Sequence, residues 1–558
     1  MKVLKEPVAK SLYADNFFAG DETLLKILKQ HLPAEFYEYA VGHLTQYGQK
    51  CANEIDLRAK HTDREGQPVL NRYDKYGEEV SEVWVNEGYE KTAVESYGTG
   101  MVGYVHKEIP ELGATGNYVY SYALGYLVSQ TDPGFYCPVT LTMATAYLLD
   151  HYASDELKKR FLPHVCATGD VELYEGATFL TERQGGSDVG ANVVKAVKDG
   201  EDYRLYGEKY FASNAGRCGV AMVLARREGA PEGTKGLTLF AVPWKGEDGK
   251  LNGLRIRRLK DKLGVRAVPS GEVEFDGAKA YVVGDETRGF YYMMEALNLS
   301  RICNAVASIG IMKRAYHEAK QYASARHAFG NSLLKYPMVK QTLSKLQAKL
   351  QVEVAAVFDL IALYDKVTSG TASDAEVLLH RLYIAILKKE TAETAIHFAH
   401  ESIEMHGGNG YIEDFVTPRL LRDAQVLTVW EGTANILAHE LIRLVNKFSI
   451  HQLFIEEMRS RVSAIKQTEL VIFAEEKLHE ITGELQVYAS SDRMTQELEA
   501  KPLMKKLAYL YETVVALEWA EKYGSPYTEI AEVYVETTWN TATFGRTPKA
   551  VLLADEII

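Results

Sequence analysis

Between about residues 178 and 288 the chain changes texture, and this change limits the fold more than any other feature. Short runs there alternate polar and apolar residues, as in Tyr203-Arg204-Leu205-Tyr206, Leu254-Arg255-Ile256-Arg257 and Gly271-Glu272-Val273-Glu274-Phe275-Asp276. A period of two puts successive side chains on opposite faces of a strand. Breakers such as Glu228-Gly229-Ala230-Pro231-Glu232-Gly233 separate the runs as hairpin turns do. On both sides the apolar spacing is helical. Upstream, Glu22 to Leu28 and Tyr136 to Tyr152 read as helices. Ser154 to Pro163 opens on cap residues and stops at proline, a short helix, while Lys60 to Gly88 is polar and reads as loop. After Gly289, long helices are predicted over 290–329, 338–368 and 374–406. Ser373 and Glu376 form a capping box, and Gly407 is the expected stop. Segments of ~30 residues predict a bundle of long helices. Residues 451–558 are helical again, with 11 Lys/Arg against 18 Asp/Glu, a charge of −7. The predicted organisation is an N-terminal helical domain over 1–178, a β domain over 179–288, a helical bundle over 289–450 and a helical C-terminal extension over 451–558.

A chain of 558 residues is too long for one ordinary core, so three or four domains are expected. Its 46% hydrophobic and 25% charged content fits a soluble globular protein. Apolar runs such as Val220 to Ala225 fall far short of the ~20 residues that cross a bilayer, so no membrane insertion is expected. Met1 to Pro7 has no signal-peptide core, and early acidic residues (Glu6, Asp15, Asp21, Glu22) argue against a transit peptide. Asp555-Glu556-Ile557-Ile558 is no peroxisomal signal. A cytoplasmic protein is expected. The net charge of −13 opposes association with nucleic acid or anionic membrane. Cys51, Cys137, Cys166, Cys218 and Cys303 are odd in number and dispersed, which reads as reduced, mostly buried thiols. His397 and His400 sit three apart on a predicted helix without a third ligand cluster, so no metal site is expected.

Four motifs carry the chemistry. Phe179-Leu180-Thr181-Glu182-Arg183-Gln184-Gly185-Gly186-Ser187-Asp188-Val189 gathers small residues, hydroxyls and backbone N–H groups suited to a planar polar ring or a phosphate. Lys209-Tyr210-Phe211-Ala212-Ser213-Asn214 puts an aromatic and a hydroxyl on one strand face. Arg326-His327-Ala328-Phe329-Gly330-Asn331 places a cation and an aromatic at helical spacing near a glycine. Last come Gly407-Gly408-Asn409-Gly410-Tyr411 and then Val429-Trp430-Glu431-Gly432-Thr433-Ala434-Asn435. Glu431 reads as a carboxylate at a helix start, beside Trp430. Alone, a helix-dipole partner explains it; in an apolar setting it is a candidate general base.

In this order, across a helix–β–helix chain, the four motifs resemble the acyl-CoA dehydrogenase family over about residues 100–450. Lys262-Leu263-Gly264-Val265-Arg266-Ala267-Val268-Pro269-Ser270 is similar to that family's next β-domain signature. The resemblance implies a mainly α protein with a central β-barrel and a C-terminal four-helix bundle. It also implies non-covalent FAD held between barrel and bundle, an acyl-CoA substrate, a homotetramer and an electron-transfer flavoprotein as acceptor. Carried over by position, Leu180, Thr181, Gly186 and Ser187 would line the flavin ring and pyrophosphate, and Phe211 and Ser213 would lie against the isoalloxazine. Arg326 and Phe329 would reach the FAD of a neighbouring subunit, and Glu404 and Gly408 its adenosine end. Thr433 and Asn435 would hold FAD from the subunit's own bundle. Ser187 and Arg301 would meet substrate. Glu431 would remove the α-proton as the β-hydride passes to flavin, and its backbone N–H would bind the thioester oxygen.

The chain departs from the family in places. The usual proline-containing loop is here Thr181-Glu182-Arg183-Gln184-Gly185-Gly186-Ser187-Asp188, and a Trp-Ile-Thr is replaced by Phe211-Ala212-Ser213. Pro337, Glu404 and Asn298 stand where Gln, Gln and an acidic residue are common. With Trp430 and the long tail, this pattern resembles the AidB-like branch of stress-associated flavoproteins. Two alternatives remain: a flavoprotein of that branch with weak dehydrogenase activity near nucleic acid, and a non-catalytic acyl-CoA-binding flavoprotein. The acidic tail argues against the first, and Glu431 against the second.

Overall fold

The computed structural model describes residues 15–558. The reading of Met1 to Pro7 lies outside them. The chain forms two compact units, Glu38–Cys303 and the residues up to Tyr37 together with Asn304–Ile558.

Among the described residues, seven α-helices precede the main sheet: α1 (Glu22–His31), α2 (Ala34–Lys50), α3 (Asp56–Arg64), α4 (Glu87–Tyr97), α5 (Tyr118–Ser129), α6 (Pro133–Tyr152) and α7 (Asp155–Val165). Side-chain caps start several of them, with Asn86, Asn117, Asp132 and Ser154 each accepting a backbone N–H. The expected stop at Pro163 is not observed. The proline lies inside α7, where Cys166 N–H to the Leu162 carbonyl (2.9 Å) and burial of Phe161 and Val165 hold the last turn. The stretch read as loop from Lys60 to Gly88 holds the end of α3 and a hairpin of β1 (Val69–Tyr73) and β2 (Glu79–Trp84). Its turn is made by Asp74, which accepts N–H groups from Tyr76 and Glu78, and by Gly77 at φ 84°. A second, shorter hairpin pairs β3 (Glu108–Ile109) with β4 (Ala114–Thr115).

The main sheet comprises β5 (Glu175–Phe179), β6 (Lys195–Asp199), β7 (Asp202–Ser213), β8 (Cys218–Arg227), β9 (Leu237–Pro243), β10 (Leu254–Leu259) and β11 (Ser270–Val282). The pairings β11–β7, β7–β6, β6–β8, β8–β9 and β9–β11 close a ring, so the expected barrel is present. β10 extends the ring from β11, and β5 extends it from β8. Alternate residues, including Leu205, Val223, Phe240, Val273 and Phe275, fill its core.

Downstream run α8 (Gly289–Ala325), α9 (Pro337–Thr368), α10 (Asp374–His406), α11 (Thr417–Leu427) and α12 (Ala434–Phe448). The Ser373–Glu376 capping box opens α10 and Gly407, at φ 59°, closes it. The first long helix ends at Ala325, four residues before its predicted end at 329. There the chain turns into a small hairpin of β12 (His327–Ala328) and β13 (Asn331–Ser332). Phe329 and Gly330 form its turn with φ 52° and 90°, the positive values that two-residue hairpins require.

The C-terminal extension is helical: α13 (Ile450–Ser463), α14 (Glu469–Ser490), α15 (Arg493–Tyr523), α16 (Tyr527–Thr538), α17 (Lys549–Leu552) and α18 (Ala554–Ile557). α15 and α16 pack on α9. At that junction the Lys349 ammonium meets carboxylates of Glu512 (2.7 Å), Glu353 (2.9 Å) and Glu390 (3.0 Å). Burial, offset only in part by Lys349, pushes the Glu353 carboxyl up. No helix of the described residues is long and apolar enough to cross a membrane. None of the five cysteines forms a disulfide, and four of them are buried.

Candidate functional site

In the barrel unit, β5 leads into the Leu180–Val189 loop, which is pinned from beneath. The Glu182 carboxylate accepts N–H groups of Val193 (2.7 Å) and Val194 (3.2 Å) and pairs with the Lys209 ammonium at 2.8 Å. Lys209 also donates to the Leu180 carbonyl (3.0 Å), and Asn192 donates to the same oxygen (2.8 Å). Glu182 and Lys209 are wholly buried. Desolvation brings the Lys209 ammonium down to about 8 against the opposing pull of Glu182. Above this anchor Thr181 is half-buried and Ser187 exposed. Gly185 adopts φ 126°, and a Cβ on Gly186 would meet the Thr181 hydroxyl at 2.5 Å. The loop is therefore tight, small and rich in exposed backbone.

On β7 the burial alternates: Phe211 exposed, Ala212 buried, Ser213 half-buried. Phe211 and Ser213 thus share the outer face, with 52% of Phe211 open to solvent. The Ser213 hydroxyl lies 3.3 Å from that of Ser270, its partner in the β7–β11 register. The Lys260 ammonium lies 4.9 Å from the Phe211 ring centre. The neighbouring signature loop folds around the Lys262 ammonium, which donates to the carbonyls of Val265 (2.9 Å) and Val268 (2.6 Å). Behind β7, Asn214 turns the chain at φ 66° and donates to the Gly176 carbonyl (3.1 Å). Beside it, burial pushes the Glu175 carboxyl up to about 7 despite the Arg217 guanidinium at 4.0 Å. Arg301 is 7% exposed and donates to the Asn298 side chain (3.0 Å), one turn away on α8.

In the bundle unit, Glu431 does not lie in a helical first turn. α12 begins at Ala434 with Thr433 as its N-cap, and Glu431 sits in the preceding loop at φ 59°, followed by Gly432 at φ 105°. A left-handed conformation costs a non-glycine residue about 1–2 kcal/mol. Glu431 thus stands two residues before the N-cap rather than in the first turn, where dipole partners are commonly found. Two buried side chains hold the loop. Asn304 on α8 donates to the Leu427 carbonyl (3.2 Å) at the end of α11, and Lys388 on α10 donates to the Gly432 carbonyl (2.8 Å). Glu431 and Trp430 are half-buried, while Thr433 and Asn435 are exposed. The Thr433 side chain makes no capping bond to its own helix.

Arg326 is exposed and follows the end of α8, and Phe329 is 97% exposed at the hairpin turn. The expected helical spacing of this pair is thus replaced by a hairpin. Glu404 and Gly408 lie exposed at the end of α10. Glu404 pairs with His400 at 3.6 Å, one helical turn away. His400, Glu401 and Glu404 form a trio the sequence reading missed; it lies on the open face of α10 and its spacing is that of ordinary helical ion pairs. In summary of position, Leu180, Thr181, Gly186 and Ser187 share one loop, Phe211 and Ser213 one strand face, and Glu431, Thr433 and Asn435 one helix entry.

Sequence reasoning gave no role to Glu182, Lys209, Lys262, Asn304 or Lys388. A signal existed for Lys388. It lies in 382–392, a stretch of α10 buried on all sides, where an ammonium needs acceptors.

The chain is similar to known proteins over most of its length. Residues 177–278 match the acyl-CoA dehydrogenase middle domain and 287–445 its C-terminal domain. Residues 8–169 match the N-terminal domain of the adaptive response protein AidB. Acyl-CoA dehydrogenase family member 11 of Caenorhabditis elegans is 32% identical over 440 residues, 77% of this chain and 70% of that protein. AidB of Escherichia coli (strain K12) is 31% identical over 414 residues, 72% of this chain and 74% of its own. The crystal structure of Caenorhabditis elegans ACDH-11 in complex with C11-CoA superposes with a TM-score of 0.86 at 27% identity, covering 94% of this chain and 93% of that one. The chain belongs to the acyl-CoA dehydrogenase family, in its AidB-like branch.

Proposed function

We propose that this protein is an FAD-dependent acyl-CoA dehydrogenase in which Glu431 is the general base. The observation that carries the reading is Glu431 itself: a carboxylate held at φ 59° beside glycine, in a loop fixed by two buried side chains. Strain of this kind is tolerated where a side chain is needed in one place.

The residues fit FAD. The Thr181–Ser187 loop has no room for a Cβ at Gly186 and exposes its backbone, as a phosphate or a ring edge requires. Phe211 and Ser213 offer an aromatic face and a hydroxyl side by side. The Thr433 hydroxyl is not spent on capping, and Asn435 stands beside it at the N-terminus of α12. Bound FAD would supply the acceptor for a hydride from the substrate β-carbon. Glu431 takes the α-proton, and its backbone N–H receives the thioester oxygen as negative charge builds there. Arg301 and Ser187 orient the acyl-CoA. Arg326 and Phe329 serve the FAD of a neighbouring copy in a homotetramer, and Glu404 and Gly408 its adenosine end. An electron-transfer flavoprotein reoxidises the flavin. The relative crystallised with C11-CoA supports a fatty acyl-CoA as the ligand class.

The test is anaerobic mixing of the FAD-loaded protein with butanoyl-, octanoyl- and hexadecanoyl-CoA while flavin absorbance is followed. Bleaching by at least one of them is expected. A flavin that stays oxidised with all three overturns the dehydrogenase reading.

A further inference from the structure

Two side chains on different helices grip the two ends of the loop that carries Glu431. The Asn304 amide, on α8, donates to the Leu427 carbonyl, the last residue of α11. The Lys388 ammonium, on α10, donates to the Gly432 carbonyl, directly after Glu431. Both side chains are sealed from solvent, at 4% and 1% exposure. Both bonds reach the loop from the long helices α8 and α10. Within the loop, Val429 and Trp430 both donate to the Val426 carbonyl, which continues α11 by one tight turn. Glu431 follows in a left-handed conformation that is intrinsically disfavoured. An external hold is what keeps such a residue in place.

We infer that Asn304 and Lys388 are positioning residues that clamp the 427–433 loop and so fix where the Glu431 carboxylate stands. The inference rests on the proposed role of Glu431 as base. Two features make the clamp more than packing. Burying an ammonium is costly, and Lys388 keeps one within a wholly buried stretch of α10, bonded to the Gly432 carbonyl. The Asn304 amide reaches from α8 to the Leu427 carbonyl although its own side-chain carbonyl finds no hydrogen-bond partner. Each position thus keeps a buried polar group that reaches the loop backbone. Misplacing a reacting group by about 1 Å costs on the order of 10²-fold in rate.

The experiment uses the full-length FAD-loaded protein and four variants: Lys388→Met, Lys388→Arg, Asn304→Leu and Glu431→Gln. Amide hydrogen exchange over 427–433 reads the clamp directly. Flavin reduction by whichever of butanoyl-, octanoyl- and hexadecanoyl-CoA reduces the wild type reads its consequence. Lys388→Met and Asn304→Leu are expected to exchange at least about tenfold faster in the loop. They should reduce flavin about 10- to 100-fold more slowly at saturating substrate, with KM nearly unchanged. Lys388→Arg should recover part of the rate. Unchanged loop exchange in Lys388→Met and Asn304→Leu overturns the clamp. Faster exchange with a wild-type saturated rate overturns positioning. If Lys388→Met does not fold, Asn304→Leu gives the same two readings. If Glu431→Gln reduces flavin as fast as wild type, the base reading fails, and loop exchange still decides whether the clamp exists.

Discussion

Glu182 and Lys209 form an ion pair of 2.8 Å whose two side chains are closed off from solvent beneath the Thr181–Ser187 loop. Removing one member leaves the other charged and unpaired in the interior. Lys209→Met should therefore cost about 3–5 kcal/mol in urea unfolding and lower FAD occupancy in the same preparation. Adding Glu182→Gln should return a large part of that loss. A single variant as stable as wild type would show that the pair does not anchor the loop.

Glu175 predicts a dependence of stability on pH. Burial holds its carboxyl at about 7 in the folded protein, above its value in the unfolded chain. The native state therefore binds more protons between these values, and the contribution is complete at low pH and lost as pH rises through about 7. Relative to Glu175→Gln, wild-type stability should fall by roughly 1.4 kcal/mol per pH unit across that window. Denaturation of both proteins across the range checks this; parallel curves would mean that Glu175 does not titrate there.

Glu431→Gln keeps the shape of the side chain but removes its capacity to take a proton. Flavin content and thermal stability should match wild type, while reduction by acyl-CoA slows by about 10²–10⁴-fold. Ligand binding, read from the shift of the flavin spectrum, should persist. A near wild-type rate would assign the proton to another carboxylate.

Phe329 exposes almost its whole side chain on a hairpin turn, near exposed Arg326. If these two serve a neighbouring copy, Phe329→Ala and Arg326→Ala should lower both oligomer mass and FAD per chain. Light scattering and flavin absorbance on one sample measure both. Fully loaded monomers would remove the cross-subunit role.

Duplex DNA should bind weakly and only at low salt, because the cations of a chain of charge −13 with a tail of −7 are outnumbered by carboxylates that repel phosphate. Fluorescence anisotropy with a labelled duplex at physiological salt should show no saturation at micromolar protein. Tight binding there would favour a nucleic-acid role.

The helix–β–helix order was legible because periods of two and of 3.6 residues announce themselves in runs such as Leu254 to Arg257 and in the capping box at Ser373. The hairpin at Val69–Trp84 was not, since its polar, charged strands lack a clear apolar face. Phe329 was misplaced because a short hairpin after Ala325 leaves no mark on helical spacing. Phe211 and Ser213 were read from strand alternation, which needs only local geometry. Asn304 and Lys388 escaped because their partners, Leu427 and Gly432, lie 123 and 44 residues away and contribute only backbone carbonyls. A backbone acceptor carries no side-chain signature for a sequence reading to find.

The left-handed backbone at Glu431 also has a meaning for selection in the laboratory. Glycine would suit φ 59° better than glutamate, so a library sorted only for heat resistance should drift toward glycine at this position. A library sorted for turnover should reject the same change. One codon would then report which pressure a population has felt.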